Sequence, residues 1–178
     1  MENKKIGRSF YKKPGLTLAK ELLGKYIVRK IGSQKLAGKI IETEAYIGPQ
    51  DKASHAYKGK ISPRNKAEYL VGGHIYIYLV YGMYWQFNIV AGPKGSPECA
   101  LIRALDSGET TDGPGKLCNY LKLDKSFYGE NLTKSKKIWL EDRGEEVKPS
   151  QISTTKRIGI DYVGPYWSQR KWRFVLIK

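Results

Sequence analysis

The sequence predicts an α+β fold, a single domain built on a curved, mainly antiparallel sheet with peripheral helices and a protruding β-hairpin. Three observations carry this expectation. Strand-like runs are spread along the chain, two of them flank one short turn, and helical periodicity is confined to short stretches near residues 17–25 and 111–123. At 178 residues the chain is long enough to bury a core and falls in the range of about 100–200 residues usual for one domain. Residues 1–178 are therefore read as one unit, with 1–9 as a flexible N-terminal tail.

Taken in order, "TLAKELLGK" (17–25) places Leu18, Leu22 and Leu23 at helical spacing, with Thr17 as N-cap and Gly24 near the end. "LAGKIIETEAYIG" (36–48) alternates, which puts Ile40, Glu42, Glu44 and Tyr46 on one strand face and Ile41, Thr43, Ala45 and Ile47 on the other. The Gly-, Pro- and Lys-rich stretch 48–67 reads as a long surface loop, with Ser62-Pro63 opening a short helix to about Leu70. "HIYIYLVY" and "YWQFNIVAG" flank Gly82-Met83 as a hairpin, and "ECALIRALD" adds an adjacent strand. A Gly/Pro turn then feeds a helix that carries Leu117, Cys118 and Leu121 inward. "KKIWLED", "KRIGIDYVG" and "WRFVLIK" read as further strands.

Charge narrows the choice of partner. Thirty-two Lys and Arg against seventeen Asp and Glu leave +15. A polyanion is the natural match, and duplex DNA releases condensed counterions as cations neutralise its phosphates. Plain solubility is the alternative use of the same charge. Cys99 and Cys118 form no CxxC pair and no zinc spacing occurs, so both read as core residues; no metal and no cofactor is expected. The charged N-terminus lacks the apolar core of a secretory signal, and no run reaches the roughly 20 apolar residues of a membrane span. These features point to a cytoplasmic chain, nucleoid-associated if bacterial. The absence of heptads or a long apolar edge points to a monomer.

The chemistry-bearing candidates start with Glu44. It shares a strand face with Tyr46, and His55 follows in the loop; a carboxylate beside aromatic walls loses part of its hydration and can act as a general base toward a trapped water. A solvated surface strand is the plain alternative. Tyr76 and Tyr78 have one parity and Tyr81 the other, so the hairpin offers two aromatic faces, suited to stacking a nucleobase or wedging between base steps. Asn88 and Arg103 interrupt apolar strands and need partners, for which Glu42 or Asp106 would serve. Lys116 in "GPGKLC" only partly matches a phosphate-binding loop, and His74 reads as structural.

With "ETEAYIG" (42–48), "DKASHAY" (51–57), "GGHIYIYLVYGMYWQFN" (72–88), "ALIRALD" (100–106), "GPGKLC" (113–118) and "KRIGIDYVG" (156–164) in this order, the chain resembles the alkyladenine family of 3-methyladenine DNA glycosylases from about Phe10 onward. The resemblance implies excision of alkylated or deaminated purines, such as 3-methyladenine, hypoxanthine and ethenoadenine, from double-stranded DNA by direct water attack, without a metal or a lyase step. It also implies roles. Glu44 resembles the family's general base, with Arg103 and the main chain near Ile158 helping to hold the water. Tyr46, His55 and Tyr78 resemble the pocket for the flipped base, and Asn88 the residue that screens purines bearing a 2-amino group. Tyr81, with Met83 beside it, matches the element that intercalates into DNA. The chain departs from the bacterial pattern at "VGPYWSQRKWRF" (163–174) and at Ser107, which puts substrate range in question. A non-catalytic nucleic-acid binder is the rival, and Glu44 separates the two, because a binder gains nothing from a carboxylate among base-stacking aromatics.

Overall fold

A strand that changes faces halfway along its length organises the molecule. The computed structural model describes residues 3–109 and 111–177. Its strands are β1 (Lys4–Lys5), β2 (Tyr26–Ile31), β3 (Gln34–Tyr46), β4 (Ile75–Val80), β5 (Tyr84–Ala91), β6 (Glu98–Asp106), β7 (Ile138–Asp142), β8 (Ile152–Thr155) and β9 (Arg173–Leu176). Among the described residues four short α-helices, α1 (Arg8–Tyr11), α2 (Gly15–Glu21), α3 (Pro114–Tyr120) and α4 (Pro165–Ser168), lie around them. All pairings between these strands are antiparallel, in the order β1-β7-β2-β3-β6-β5-β4, with β9 attached to β3 and β8 to β9. The α+β expectation holds.

β3 is the hinge of this arrangement. Its first half pairs with β2, its second half with β9, and β6 runs along its other side. Opposite β6 the register slips at Ile41 and slips back at Arg103, since Glu42 faces Ala104 and Thr43 faces Ile102. A bulge inserts a residue and reverses which side chains face inward. Ile40 therefore joins the main core together with Ala45, although the two differ in parity. Simple alternation had put Ile40 on the face of Glu42, Glu44 and Tyr46; the bulge corrects that placement and leaves those three polar residues together on the other face.

The helices seal the core face. α2 buries Leu18 and Ala19, with Leu22 and Leu23 just beyond its end, and Thr43 donates its hydroxyl to the carbonyl of Ala19 at 2.7 Å. Its start is Pro14, not Thr17 as the sequence suggested, and the Gly15 N–H is taken by the Glu98 carboxylate at 2.5 Å. An acidic side chain borrowed from β6 thus does the capping work expected of a local hydroxyl. α3 begins at Pro114 and turns Leu117, Cys118 and the following Leu121 into the core, as the periodicity predicts.

Three expectations need correction. Residues 4–9 are placed and not a loose tail: Lys4 and Lys5 pair with Asp142 and Glu141, Ile6 is buried, and Arg8 bonds to Gly72, Asn131 and Thr133. Met1 and Glu2 of that expected tail lie outside the described residues. The 48–67 stretch is folded into short 3-10 turns with Asp51, Ser54, Ala56 and Asn65 buried, and the helix expected after Pro63 is a 3-10 turn at Lys66–Tyr69. "KRIGIDYVG" forms turns, because Gly159 and Gly164 adopt positive φ of 75° and 87° that interrupt an extended run.

Candidate active site

The polar face of β3 opens on a cleft of about 890 Å3, bounded by the 48–67 turns, the β4–β5 hairpin, the start of α3 and residues 158–162. Glu44 has no solvent exposure and sits behind three residues that line the cleft, Tyr46, Arg103 and Ile158. Three groups hold its carboxylate: the Ile158 main-chain N–H donates to Oε1 at 2.8 Å, Tyr46 donates its hydroxyl to Oε2 at 2.9 Å, and the Arg103 guanidinium stands 3.5 Å from Oε1. Burial pushes the Glu44 pKa above its ordinary value, while Arg103, the Ile158 N–H, Tyr46 and Arg157 pull the other way. Oε2 accepts from Tyr46 and keeps a lone pair for a water proton.

Arg103 occupies the slipped position of β6, where no β3 residue faces it. From there its Nε reaches Glu42 at 2.8 Å while its other end faces Glu44. The expected pairing with Glu42 is present, and the same guanidinium also stands beside Glu44. Arg173 also binds Glu42, at 2.6 Å, so Glu42 anchors two cations.

Two buried residues that the sequence did not single out fix the Ile158 segment. Arg157 and Asp51, both without exposure, form a two-pronged pair at 2.5 and 2.9 Å, and Arg157 also donates to the Ala45 carbonyl at 3.0 Å. The guanidinium lies 4.7 Å from the Tyr46 ring and 4.9 Å from that of Trp172. A planar, bidentate pair of this kind fixes direction as well as distance. It ties residue 157 to β3 and so aims the next N–H at Glu44.

Aromatic side chains form the wall. His55 packs edge-on against Tyr78 at 4.7 Å, its Nδ1 is 2.5 Å from the Tyr76 hydroxyl, and Tyr76 leans on Tyr78 at 5.1 Å. Burial against these rings, with Arg64 and Lys60 adding repulsion, lowers the His55 pKa to about 4, so the ring is neutral near pH 7. Tyr76 is buried whereas Tyr78 and Tyr46 line the cleft. Tyr81 is 89% exposed at the hairpin tip, with Met83 beside it at 62%. Asn88 does not reach Glu42 or Asp106; it is buried, donates to the Gln86 carbonyl at 3.2 Å and lies 3.7 Å from the Cys99 sulfur.

The remaining candidates have plain partners. Lys116 pairs with Asp112 at 2.9 Å on the rim, and His74 contacts the Val71 carbonyl at 2.7 Å. Cys99 and Cys118 are both buried thiols. Among the described residues no cluster of three or more His, Cys, Asp or Glu could hold a metal ion, and no helix is long and apolar enough to cross a membrane.

A buried, hydrogen-bonded carboxylate under an aromatic cleft, on a strongly basic α+β domain, has the features of an enzyme that acts on a nucleobase. Residues 9–178 match the methylpurine-DNA glycosylase (MPG) family. Two proteins named "Putative 3-methyladenine DNA glycosylase" are similar to the chain. That of Desulfitobacterium hafniense (strain Y51) is 40% identical over 197 residues, covering 97% of this chain and 95% of its own. That of Clostridioides difficile (strain 630) is 39% identical over 201 residues, covering 95% and 98%. A DNA-3-methyladenine glycosylase of Mus musculus is 34% identical over 197 residues, covering 96% of this chain and 58% of its own. The chain belongs to the methylpurine-DNA glycosylase family, and so to the hydrolases of DNA repair.

Proposed function

We propose that the chain removes alkylated purines, 3-methyladenine foremost, from duplex DNA by hydrolysing the N-glycosidic bond and leaving an abasic site. The observation that carries this reading is Glu44, closed from bulk solvent yet ionically supported, directly behind the Tyr46, Arg103 and Ile158 lining of an aromatic cleft. A base inside a duplex cannot reach such a group, so the nucleotide must leave the stack, at a cost of a few kcal/mol. The Lys and Arg surplus holds the phosphates. Tyr81 and Met83, exposed at the tip, fill the gap, while the base enters among Tyr46, His55 and Tyr78.

N-methylation leaves the purine cationic, which favours a cage of π-electron-rich faces and weakens the bond to the sugar. Glu44 then orients a water and takes its proton as the oxygen attacks C1′. The C1′–N bond breaks, and its electron pair leaves with the base. Arg103 and the Ile158 segment keep Glu44 ionised and in place for this step. Water is the nucleophile, so no covalent enzyme–sugar link forms and no strand cleavage follows. The chain acts as a monomer where the cell's DNA lies, the nucleoid in a bacterium.

The test is incubation with duplexes carrying 3-methyladenine, hypoxanthine or ethenoadenine, followed by hot alkali. Strand breaks that appear only after alkali support monofunctional excision. Breaks before alkali would point to a lyase, and none after it to a binding protein.

A further inference from the structure

The run 163–174, where the chain departs from the bacterial pattern, folds beside the mouth of the cleft. Tyr162, in the Asp161–Val163 turn, lines that cleft together with Tyr81 of the hairpin and is 79% exposed. Tyr166, in α4, is 65% exposed. The Arg170 guanidinium, two residues beyond α4, lies 4.4 Å from the centre of the Tyr166 ring, 5.9 Å from that of Trp167 and 5.7 Å from that of Trp172. Large exposed aromatics grouped around a cation mark a surface that meets more than water.

This ridge is preformed. Val163 is buried with Ala53 and Ile160 in a small core that Trp167 borders, Tyr166 meets Trp167 edge-on at 5.0 Å, and the Trp172 carbonyl accepts from the Ala45 N–H of β3 at 2.9 Å. Ordering it on a ligand therefore costs little conformational entropy. Its charge selects the ligand. Among the described residues Lys156, Arg170 and Lys171 have no carboxylate partner, whereas Arg157 and Arg173 are paired with Asp51 and Glu42. Asp161 is the one acid between residues 153 and 173. A guanidinium laid against a ring keeps its in-plane N–H donors for an anion, and that planar fork matches a phosphate.

A nucleotide turned into the cleft stays linked to its neighbours, so its strand must cross the mouth and leave it on both sides. We propose that Tyr162, Tyr166 and Arg170 form a second grip on that strand, separate from the hairpin tip. The Tyr162 ring packs on the nucleotide beside the flipped one, and Arg170, held against Tyr166, pairs with a phosphate further along. The proposal rests on the glycosylase reading and adds to it a surface that holds the strand outside the pocket. A tyrosine suits the place, since its ring stacks on any base while its hydroxyl stays wet. A protein partner seated here would cover Tyr162 and stand in the path of the strand. The same segment begins with the Ile158 N–H that holds Glu44, so the grip and the candidate base share one rigid frame.

Two measurements on the full chain test this. The first is single-turnover excision of trace lesion duplex, on whichever of the three lesions the wild-type protein removes fastest. There Tyr162→Ser should raise the half-saturating protein concentration by about tenfold, as for loss of one stacked base, with the melting midpoint unchanged. Added to Tyr81→Ser the effect should multiply to about 100-fold, because the two rings act on different parts of the strand. The second is binding to undamaged duplex, which needs no excision. There Arg170→Met, which keeps an apolar stem against the rings, should make the log–log salt slope shallower by about 0.9, the equivalent of one phosphate. Where Arg170→Met does not fold, Arg170→Gln takes its place. Wild-type half-saturation in Tyr162→Ser, or an unchanged slope in the Arg170 variant, overturns the inference and leaves the glycosylase reading intact. No excision of any lesion by the wild-type protein defeats that reading, while the slope on undamaged duplex still decides for or against the grip.

Discussion

The main-chain N–H of Ile158 lies 2.8 Å from Oε1 of Glu44, a residue 114 positions earlier in the chain. A backbone donor survives every substitution except proline. Its aim depends on the neighbouring Arg157, whose guanidinium is locked to Asp51 and to the Ala45 carbonyl of β3. The candidate base is thus aimed by the Arg157–Asp51 pair, which is not among the residues lining the cleft.

Replacing Glu44 by Gln should leave lesion-DNA binding intact and lower single-turnover excision by about 100-fold or more, the usual range for loss of a general base. Filter binding and a quench-flow assay on the same preparation separate the two effects. An excision rate like that of the wild-type protein would remove Glu44 from the mechanism.

Removing one member of the buried ion pair should be costly. Arg157→Met leaves Asp51 charged and unpaired, so the urea midpoint should fall by the equivalent of about 3 kcal/mol, with excision falling too as the Ile158 N–H drifts. Asp51→Leu added to Arg157→Met should restore much of the stability but not the rate. Full recovery of both would show that the pair has no part in aiming the N–H.

The pH profile has a definite sign. The base must be ionised to work, and burial raises the Glu44 pKa above its ordinary 4.5. Single-turnover excision should therefore be full at higher pH and be lost as pH falls through a value above 4.5. His55, lowered to about 4, stays neutral across that limb and does not cause it. The limb should persist in Glu68→Met, because Glu68, a further buried carboxyl close to His55 and Tyr78, is not the base. A flat profile down to the ordinary carboxylate range would contradict this assignment.

Tyr81→Ser removes a ring that makes no core contact, so circular dichroism and melting should change little. Affinity for lesion duplex should fall by roughly tenfold, in line with about 1–3 kcal/mol for one stacked base. Unchanged affinity would argue against an intercalating tip.

Affinity for duplex DNA should fall steeply with added salt, with a linear log–log slope near −0.9 per phosphate neutralised. Titrations at several salt concentrations give that slope directly. A slope near zero would dissociate the +15 charge from DNA binding.

Local patterns in the sequence located much of the site. Period-two alternation placed Glu44 beside Tyr46, and runs of β-branched and aromatic residues around a glycine marked the hairpin that carries Tyr78, Tyr81 and Asn88. What escaped depends on contacts between distant segments. The bulge at Ile41 breaks the parity rule from within, and no residue type announces it. Asp51 and Arg157 are ordinary charged residues until the fold brings them together across 106 positions. Glu68 sits in a single 3-10 turn, too short for any periodicity to reveal that it faces inward. The strand expected at 156–164 failed for a local reason that composition does signal, since its glycines take a backbone conformation that strands exclude.

The tip of the hairpin has a further consequence. Tyr81 sits at φ 51°, in the left-handed region where a glycine or asparagine would rest more easily. Tyr81→Gly should therefore tighten the turn by about 1 kcal/mol while blunting the protein's grip on damaged DNA. Selection for thermostability alone would be expected to erase this tyrosine, so a stabilised lineage that retains it would have kept it for what it does in the helix of another molecule.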